Sequence, residues 1–482
     1  MKIGATFLLN RICIPILCIV VCLAASACGN RNLKFPEEID MGHTGMSGHE
    51  GHAGSTISTG SERSCEKLVE AKSDGPTRTF ELTAAKTSAN VPGGKTTKAW
   101  TFNGSTPGPE LRVREGDRVV VKLSNQDIGK GVTIHWHGVV LPCSQDGVAG
   151  VTQDAVMPGE QFTYEFVAKH PGTYWYHSHQ QSSEQATMGL IGRLIVEPKS
   201  TTFRYDRDYA VTLQKLNDKQ YLTNGRADGL ALEAKPGETV RLRLINAYNE
   251  VQWMGVAGAD FRVISMDGQD LNGPRALNGE WIPIGGGQRY DLLITMPENG
   301  QVQVYSKERK EWNIALGQGR APEKLDKDAK EFDFTSYGTP KEDGITPQMK
   351  FDRSYNLELG LLDINGRQFH EIPPLVVKEG DWVKVRFEHK FGGPHPMHLH
   401  GHIFKVLTKN GKALSGSPIY ADSILLLRGD VYEIAFRADN PGLWMEHCHN
   451  LGHAANGMTM MVNYEGVTTP FRVGTKSGNL PD

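Results

Sequence analysis

Four pairs of histidines, each with one residue between its members, recur in the sequence: His135/His137, His177/His179, His398/His400 and His447/His449. In an extended strand, residues i and i+2 point to the same face, so each pair can present both imidazole rings to one site. Two pairs precede the middle of the chain and two lie near its end, so eight rings can gather where two parts of the chain meet. Imidazole suits copper, and eight rings are too many for one ion. Three copper ions sharing the eight histidines fit this pattern.

A cysteine lies inside the last pair. Because neighbouring strand residues point to opposite faces, the Cys448 thiol reaches a different site from the histidines on either side of it. His453 follows five residues later, and Met458 five residues after that. Two histidines, a thiolate and a weak axial methionine form a blue-copper electron-transfer site. We predict such a site at Cys448, His453 and Met458, with His395 as the second histidine, connected to the histidine cluster through the backbone neighbours of Cys448.

Two simpler interpretations compete with this one. A single His-x-His pair in a β protein is most often an ordinary surface or core feature, but here four pairs occur in register within a repeat. Structural zinc prefers a closed set of four ligands, and it gives no reason for a methionine at the end of the motif. The pattern therefore favours copper.

A repeated strand pattern positions these residues. Segments 108–125, 230–247 and 373–390 each contain two runs of alternating apolar residues around a turn with glycine and an acidic residue. This pattern is typical of adjacent strands with one buried face. The spacing between the copies is that of domains and not of a solenoid. Histidine pairs follow the first and third copies only, so we predict three β-sandwich domains, of which the middle one is a spacer.

The N-terminal sequence predicts export. The apolar run RICIPILCIVVCLAASAC follows Lys2 and ends in small residues before Cys28, which indicates a signal peptide over residues 1–27. The surrounding sequence ASACG resembles a bacterial lipobox, so we expect a lipid anchor at Cys28. Ordinary cleavage after Ala27 without a lipid is the alternative. We expect an exported bacterial protein of the periplasm or the outer cell surface.

Two further features concern the exported chain. Cys65 and Cys143 are the only candidate disulfide pair in an oxidising compartment once Cys28 and Cys448 have other roles. Residues 28–72 read as a flexible polar tail, in which MGHTGMSGHEGHAG contains three histidines and two methionines. Such side chains suit Cu(II) and Cu(I). A linker with chance histidines is the alternative.

Composition excludes some partners. Lys and Arg total 52 against 55 Asp and Glu, so nothing indicates a nucleic-acid partner or a basic membrane-binding face. A length of 482 residues suits about three domains, and 54 glycines suit a turn-rich β protein.

At the histidine and cysteine motifs the sequence resembles the multicopper oxidases, in particular their three-domain, laccase-like bacterial members. The resemblance extends over roughly residues 80–465. It implies an all-β chain of three cupredoxin-like Greek-key β-sandwich domains, which we place at 73–198, 199–345 and 346–482.

The resemblance also implies four coppers per chain and a ligand set for each. Type 1 copper would be held by His395, Cys448, His453 and the axial Met458. Type 2 copper would take His135 and His398. One type 3 copper would take His137, His177 and His449, and the other His179, His400 and His447.

Proton delivery is the remaining role that the resemblance implies. Asp146, in QDGVAGVTQ, matches the family's acidic residue near type 2 copper, which helps deliver protons for oxygen reduction. An ordinary turn at this aspartate is the alternative. Several bacterial relatives have a glutamate just before the last type 1 histidine, where this chain has Gly452. The departure puts a second proton route in doubt.

The expected function is that of a laccase-like oxidase. A small reducing substrate, phenolic or similarly aromatic, would give single electrons near His453, and Cys448 would relay them for the reduction of O₂ to water. A cuprous or other metal-ion oxidase is the alternative, although unit three lacks the methionine-rich insert of some cuprous oxidases. A copper nitrite reductase would not need eight cluster histidines, and a copper buffer would not need the connected sites.

Overall fold

The computed structural model describes residues 36–42, 62–70 and 73–482. The predicted signal peptide, Cys28 and most of the tail with its histidines and methionines lie outside the described residues. No helix among the described residues is long and apolar enough to cross a membrane.

The N-terminal third of the described chain forms two four-stranded sheets. Its elements are β1 Arg63–Ser64, β2 Thr77–Ala89, β3 Thr97–Phe102, β4 Glu110–Arg114, β5 Arg118–Asn125, β6 His135–His137, β7 Gln161–Val167, β8 Gly172–His177, helix α1 Ser182–Met188 and β9 Ile191–Glu197. The strand orders are β3-β2-β5-β7 and β4-β9-β8-β6. Alternate residues of β5, such as Val119 and Val121, are buried between the sheets, as period-2 alternation predicts.

The middle third forms a six-stranded and a five-stranded sheet. Its strands are β10 Arg207–Leu216, β11 Gln220–Thr223, β12 Leu230–Leu232, β13 Thr239–Asn246, β14 Gln252–Ala257, β15 Phe261–Met266, β16 Gln269–Asp270, β17 Trp281–Ile284, β18 Arg289–Thr295, β19 Val302–Ser306 and β20 Asn313–Leu316. The strand orders are β11-β10-β13-β18-β15-β16 and β12-β20-β19-β14-β17.

The C-terminal third repeats this arrangement. Its elements are β21 Arg353–Leu359, β22 Leu375–Val377, β23 Trp382–His389, β24 His395–Leu399, β25 Phe404–Lys409, β26 Lys412–Ala413, β27 Tyr420–Ala421, β28 Ser423–Leu426, β29 Val431–Arg437, β30 Leu443–Cys448, helix α2 Leu451–Ala454, β31 Thr459–Tyr464 and β32 Val467–Thr468. The orders are β21-β23-β29-β25-β26, with β27 paired to β25, and β22-β31-β30-β24-β28. Short 3₁₀ turns are described at Cys65–Lys67, Cys143–Gln145, Phe334–Ser336 and Phe369–Glu371.

The same parallel pairings recur in all three thirds. β2 pairs with β5, β10 with β13 and β21 with β23, and a second set pairs β4 with β9, β12 with β20 and β22 with β31. This repeated topology confirms the predicted all-β fold of three cupredoxin-like sandwiches. The three units are called the first, middle and third domains below; their boundaries at 198/199 and 345/346 stay predictions.

The two described stretches of the predicted tail are held against the folded chain. Ile39 forms a β-bridge with Val473, β1 pairs with β32, and Cys65 forms the predicted disulfide with Cys143. The disulfide prediction is confirmed. The prediction of flexibility over 28–72 is wrong for these stretches, because their order depends on partners from distant parts of the chain.

Candidate metal centre

The eight histidines of the four pairs lie together, and we call them the eight-histidine site. β6 pairs antiparallel with β8, so that His135 lies opposite His177 in the first domain. β24 pairs with β30, so that His398 lies opposite His447 in the third domain. All eight residues are buried. Strand pairing therefore holds His135 beside His177 and His398 beside His447 within their own domains.

The two sets of rings interlock across the boundary between the first and third domains. His135 stacks on His400 and His137 stacks on His398, each with ring centroids 3.8 Å apart. His179 also contacts His447 edge-on, at 5.4 Å between centroids. Two groups of three ring nitrogens with metal-binding proximity accordingly draw members from both domains: His135/His398/His400 and His179/His400/His447. The site exists only where the two domains pack.

Each of the eight rings has one nitrogen that lacks a suitable hydrogen-bond partner. Six are buried without a partner: Nε2 of His135, His177, His179, His398 and His449, and Nδ1 of His137. Nε2 of His400 and Nε2 of His447 face each other at 3.1 Å. Their Nδ1 atoms must donate, to the Asp146 carboxylate and to a main-chain carbonyl respectively, so two lone pairs meet here. An unpartnered buried polar group costs about 1–3 kcal/mol, and bound metal ions would satisfy all eight nitrogens.

The opposite nitrogen of most rings donates to a fixed acceptor. Nδ1 of five histidines lies 2.9–3.1 Å from a main-chain oxygen: His135 from Asp146, His177 from Ser178, His179 from Pro481, His398 from Asp422 and His447 from Cys448. A carbonyl oxygen only accepts, so these contacts fix the tautomer and turn Nε2 toward the centre of the site.

Electrostatics keep the rings neutral. Burial, followed by the neighbouring histidines, holds the pKa of His137, His177 and His179 well below its usual value. The same causes lower the pKa of His400 and His449. Neutral imidazole has the free lone pair that binds a metal ion, so the residues present fit a group of copper ions.

Asp146 lies between the two sets of rings. It follows the 3₁₀ turn Cys143–Gln145 and is 1% exposed. One carboxylate oxygen is 3.1 Å from Nδ1 of His135, and the other is 2.9 Å from Nδ1 of His400. The side chain thus bridges a histidine of the first domain and one of the third. The proton-delivery role stays a prediction.

His395, Cys448, His453 and Met458 form a second group, which we call the cysteine pocket. The Cys448 sulfur lies 3.6 Å from Nδ1 of His395 and 3.6 Å from Nδ1 of His453. These two nitrogens are 3.1 Å apart. Nε2 of His395 is 2.9 Å from the carbonyl of Gly360, so that nitrogen donates and Nδ1 has the lone pair. Two ring nitrogens and a thiol therefore converge within one domain.

The chain after β30 folds back to complete the pocket. Asn450 caps α2 by accepting a hydrogen bond from the amide of Gly452, and the turn brings His453 over Cys448. The amide of Cys448 donates to the carbonyl of Met458 at 3.0 Å, and the Met458 side chain is fully buried. This short turn accounts for the regular spacing of the last three pocket residues.

Protonation in the pocket also suits a metal ion. Burial lowers the pKa of His395 to about 3 and that of His453 to about 4, so both rings are neutral near pH 7. Burial raises the pKa of the Cys448 thiol, and a metal ion would be needed to deprotonate it. His453 is half-buried, whereas Cys448 is fully buried. The ligand roles stay predictions.

Sequence reasoning missed two acidic residues beside the eight-histidine site. Asp422 lies 3.2 Å from Nε2 of His137 and 3.3 Å from Nδ1 of His398. Asp482 is buried, accepts hydrogen bonds from Ser182 and Thr459, and follows the residue whose carbonyl contacts His179. Neither has a motif around it, so only their position in space identifies them.

The chain is similar to known proteins over most of its length. Three family models described as multicopper oxidase match residues 83–201, 171–310 and 334–466. The multicopper oxidase MmcO of Mycobacterium tuberculosis is 26% identical over 436 residues, covering 77% of this chain and 84% of the relative. Laccase-2 of Botryotinia fuckeliana is 28% identical over 480 residues, covering 80% and 82%.

A solved structure shares the architecture. The crystal structure of a multi-copper oxidase from Pseudomonas thermotolerans superposes with a TM-score of 0.66 at 29% sequence identity. The match covers 81% of this chain and 100% of that one.

Proposed function

Because the chain belongs to the multicopper oxidase family, copper-dependent oxidoreductases that use O₂, we propose that it is a laccase-like member. In this proposal it takes single electrons from phenols or similar aromatic compounds and reduces O₂ to water. The observation that carries the choice of donor is the apolar rim of the cysteine pocket, where the exposed Leu361 lies beside the His395 ring and the exposed Phe391 stands four residues before His395 in the chain.

The proposal assigns four coppers to the two sites. The cysteine pocket would hold type 1 copper through His395, Cys448, His453 and Met458. In the eight-histidine site, His135 and His398 would hold type 2 copper, His137, His177 and His449 one type 3 copper, and His179, His400 and His447 the other. When bound, copper would supply one-electron transfer in the pocket and oxygen reduction in the eight-histidine site. The unpartnered nitrogens support the assignment of the eight-histidine site, and the convergence of His395, Cys448 and His453 supports that of the pocket.

The chain itself provides the path between the sites. Cys448 belongs to the pocket, while His447, which precedes it in β30, and His449, just past the end of β30, belong to the eight-histidine site. Nδ1 of His447 also donates to the carbonyl of Cys448 at 3.1 Å, which adds a hydrogen-bonded link to the covalent one. Asp146, in contact with His135 and His400, is the group that we propose to supply protons.

The rim of the pocket favours an aromatic donor. Phe391 is 51% exposed and Leu361 is 44% exposed, which is unusual for large apolar side chains in this protein. A Cβ atom on Gly392 would lie 3.4 Å from the Leu361 side chain and 3.4 Å from Nε2 of His395, so Leu361 and the ring share one small space. An aromatic ring docked there would bury apolar surface next to a pocket histidine.

One carboxylate favours the second candidate, oxidation of a metal ion. A Cβ atom on Gly360 would lie 2.3 Å from Oδ2 of Asp363, which places this carboxylate beside the residue that holds His395. A carboxylate suits a cationic donor. The other oxygen of Asp363 already accepts a hydrogen bond from the amide of Gly366. The apolar rim is therefore the stronger feature.

The test is oxygen uptake by the copper-loaded enzyme with a phenol, Fe(II) or Cu(I) as donor. We expect turnover with the phenol, and a roughly 30-fold lower kcat/KM for it in Leu361→Ser/Phe391→Ser, since the two lost apolar contacts, at about 1 kcal/mol each, together cost about 2 kcal/mol. Met157→Ser, which changes another exposed apolar residue, is the matched control. Turnover with metal ions alone, or an equal effect of the control, would contradict the aromatic donor.

We also propose that the protein is exported and anchored by a lipid on Cys28. The signal pattern over residues 1–27 supports export, and the Cys65–Cys143 disulfide supports an oxidising compartment. Incorporation of labelled fatty acid into the wild type but not into Cys28→Ser is the expected result. Equal labelling of the two proteins, or none of either, would contradict the anchor.

A further inference from the structure

We propose that the middle domain, which has no ligand of its own, holds the eight-histidine site in its metal-binding geometry through one loop. This loop, residues 285–289 with the sequence GGGQR, is called the GGGQR loop below. The inference rests on the proposed copper roles of the eight histidines. It changes the middle domain from a spacer to a part of the site.

Arg289 joins the three domains at the end of the loop. Its side chain is fully buried, and its two terminal nitrogens each lie 2.7 Å from an oxygen of Asp422 in the third domain. Its Nε donates to the carbonyl of Thr173 in the first domain at 2.9 Å. Paired charge-assisted hydrogen bonds of this kind fix both distance and orientation. Arg289 therefore determines where the Asp422 carboxylate lies relative to the first domain.

Asp422 in turn contacts two histidines of the site, one from each domain. Its Oδ1 lies 3.2 Å from Nε2 of His137 and 3.3 Å from Nδ1 of His398. His137 is the one cluster histidine whose unpartnered nitrogen is Nδ1, and the contact of its Nε2 with Asp422 explains this. Asp422 thus selects the tautomer of His137 and helps to orient His398.

A second, independent contact lies at Gly287. Its φ is +83°, and a Cβ atom there would lie 2.8 Å from Cγ of His449 and 2.9 Å from Cε1 of His137. Only glycine allows the loop backbone to press against both rings. The Gly287 carbonyl also accepts a hydrogen bond from the Trp175 indole at 3.2 Å, and Gln288 donates to the Ser423 carbonyl at 3.3 Å.

These contacts help to hold together a site whose ligands come from two domains. Its ligands come from two domains, so their mutual position depends on a boundary between domains and not on one sheet. Metal ligands must be held within a few tenths of an ångström of their productive positions, which requires support from surrounding groups. The GGGQR loop contacts ligands or ligand-orienting groups of both domains, and so restrains that boundary from a third side.

The experiment compares Arg289→Gln with Arg241→Gln in the full-length, copper-loaded protein. Arg241 is a matched control, because it forms an equally buried ion pair with Asp291 in the same domain, at 2.6 Å, without touching Asp422. The readouts are copper per chain, the blue absorption of type 1 copper, the spin-resonance signal of type 2 copper, and oxygen uptake. Gly287→Ala, measured in the same way, tests the loop if Arg289→Gln does not fold.

We expect Arg289→Gln to lose at least one copper per chain or to change the type 2 signal, to keep the blue absorption, and to reduce oxygen at least tenfold more slowly. Arg289→Lys should restore part of the copper content. The control should keep its copper. Full loading with an unchanged type 2 signal in both loop variants would overturn the inference, as would equal loss in Arg241→Gln. Wild type that binds no copper in the eight-histidine site would instead overturn the proposed function.

Discussion

The cysteine pocket and the eight-histidine site share strand β30, but they are built in different ways. The pocket belongs to one domain, and three of its four residues lie between Cys448 and Met458. The eight-histidine site takes half of its rings from each of two domains and is further contacted by a loop of the middle domain. A site built from one short segment depends on local turns. A site built across domains depends on packing, so changes at domain boundaries should affect it first.

The largest expected effect is that of Cys448→Ser. Serine cannot replace the thiolate as the charge-transfer ligand, so the blue colour and all donor oxidation should be lost. Because Cys448 faces the pocket only, copper in the eight-histidine site should remain. Absorption spectra and copper analysis of the loaded variant test both points. A blue variant, or one that has lost all its copper, would contradict the separation of the two sites.

Asp146→Asn should produce the opposite pattern. The type 1 copper should stay blue and reducible by the donor, while reoxidation of the reduced enzyme by O₂ slows by about 10²–10⁴-fold, because the amide cannot exchange protons as the acid does. Rapid-mixing reoxidation at verified copper content is the measurement. Asp154→Asn is the control, because it makes the same acid-to-amide change at another hydrogen-bonded aspartate of the first domain. The Asp154 carboxylate accepts a hydrogen bond from Asn479 at 2.7 Å. Normal reoxidation of Asp146→Asn would show that protons arrive by another route.

Removal of the disulfide should act on the eight-histidine site more than on the pocket. Cys65→Ala/Cys143→Ala opens a loop with a sequence separation of 78, which should lower the free energy of unfolding by roughly 3–5 kcal/mol. Cys143 begins the turn that leads to Asp146, and its sulfur accepts a hydrogen bond from the amide of Leu443 at 3.3 Å.

Urea unfolding of the oxidised wild type and the double variant measures the disulfide's effect on stability. The rate at which O₂ reoxidises the reduced enzyme and the blue absorption then show which of the two sites is affected. A variant that loses its blue colour but keeps fast reoxidation would reverse the expected order.

The buried Asp482 should make the stability of the metal-free protein depend on pH. Burial raises its pKa to about 7, even though Ser182 and Thr459 donate hydrogen bonds to it. Between about pH 4 and pH 7 the unfolded chain has this group ionised while the folded chain keeps it protonated. The contribution of Asp482 to the free energy of unfolding should therefore fall as pH rises through this window, by up to about 4 kcal/mol, and level off above it, while the buried neutral histidines contribute with the opposite sign. The difference in unfolding free energy between wild type and Asp482→Asn, measured by urea titration at each pH, isolates this contribution, and a difference that stays constant across the window would refute the assignment.

The smallest effect concerns Met458→Leu. A weak axial thioether favours Cu(II), so its loss should raise the type 1 reduction potential while the blue colour and the copper content stay as in the wild type. Redox titration of the blue band is the measurement, and Met445→Leu, which changes a buried methionine of strand β30, is the control. An unchanged or lowered potential would remove Met458 from the axial position.

Much of the pocket could be predicted from the sequence, because its information is local. Strand alternation separates Cys448 from its two neighbours, and the short turn capped by Asn450 lies within the same segment. The His-x-His pairs were equally readable, since period-2 geometry applies to any strand. The Cys65–Cys143 disulfide could be predicted by elimination, because the chain has few cysteines. The ordered structure of the chain around Cys65 was not predicted.

By itself, therefore, the sequence determined the strand periodicity, the repeat and the types of side chain available as ligands. Only the tertiary structure decided that Asp422 and Asp482 lie at the eight-histidine site, and that Arg289 and Gly287 of the middle domain contact it. The physical reason is that these contacts join residues far apart in the chain through the packing of whole domains. No local period or spacing records which surfaces will meet, because burial and charge pairing there depend on all three domains at once.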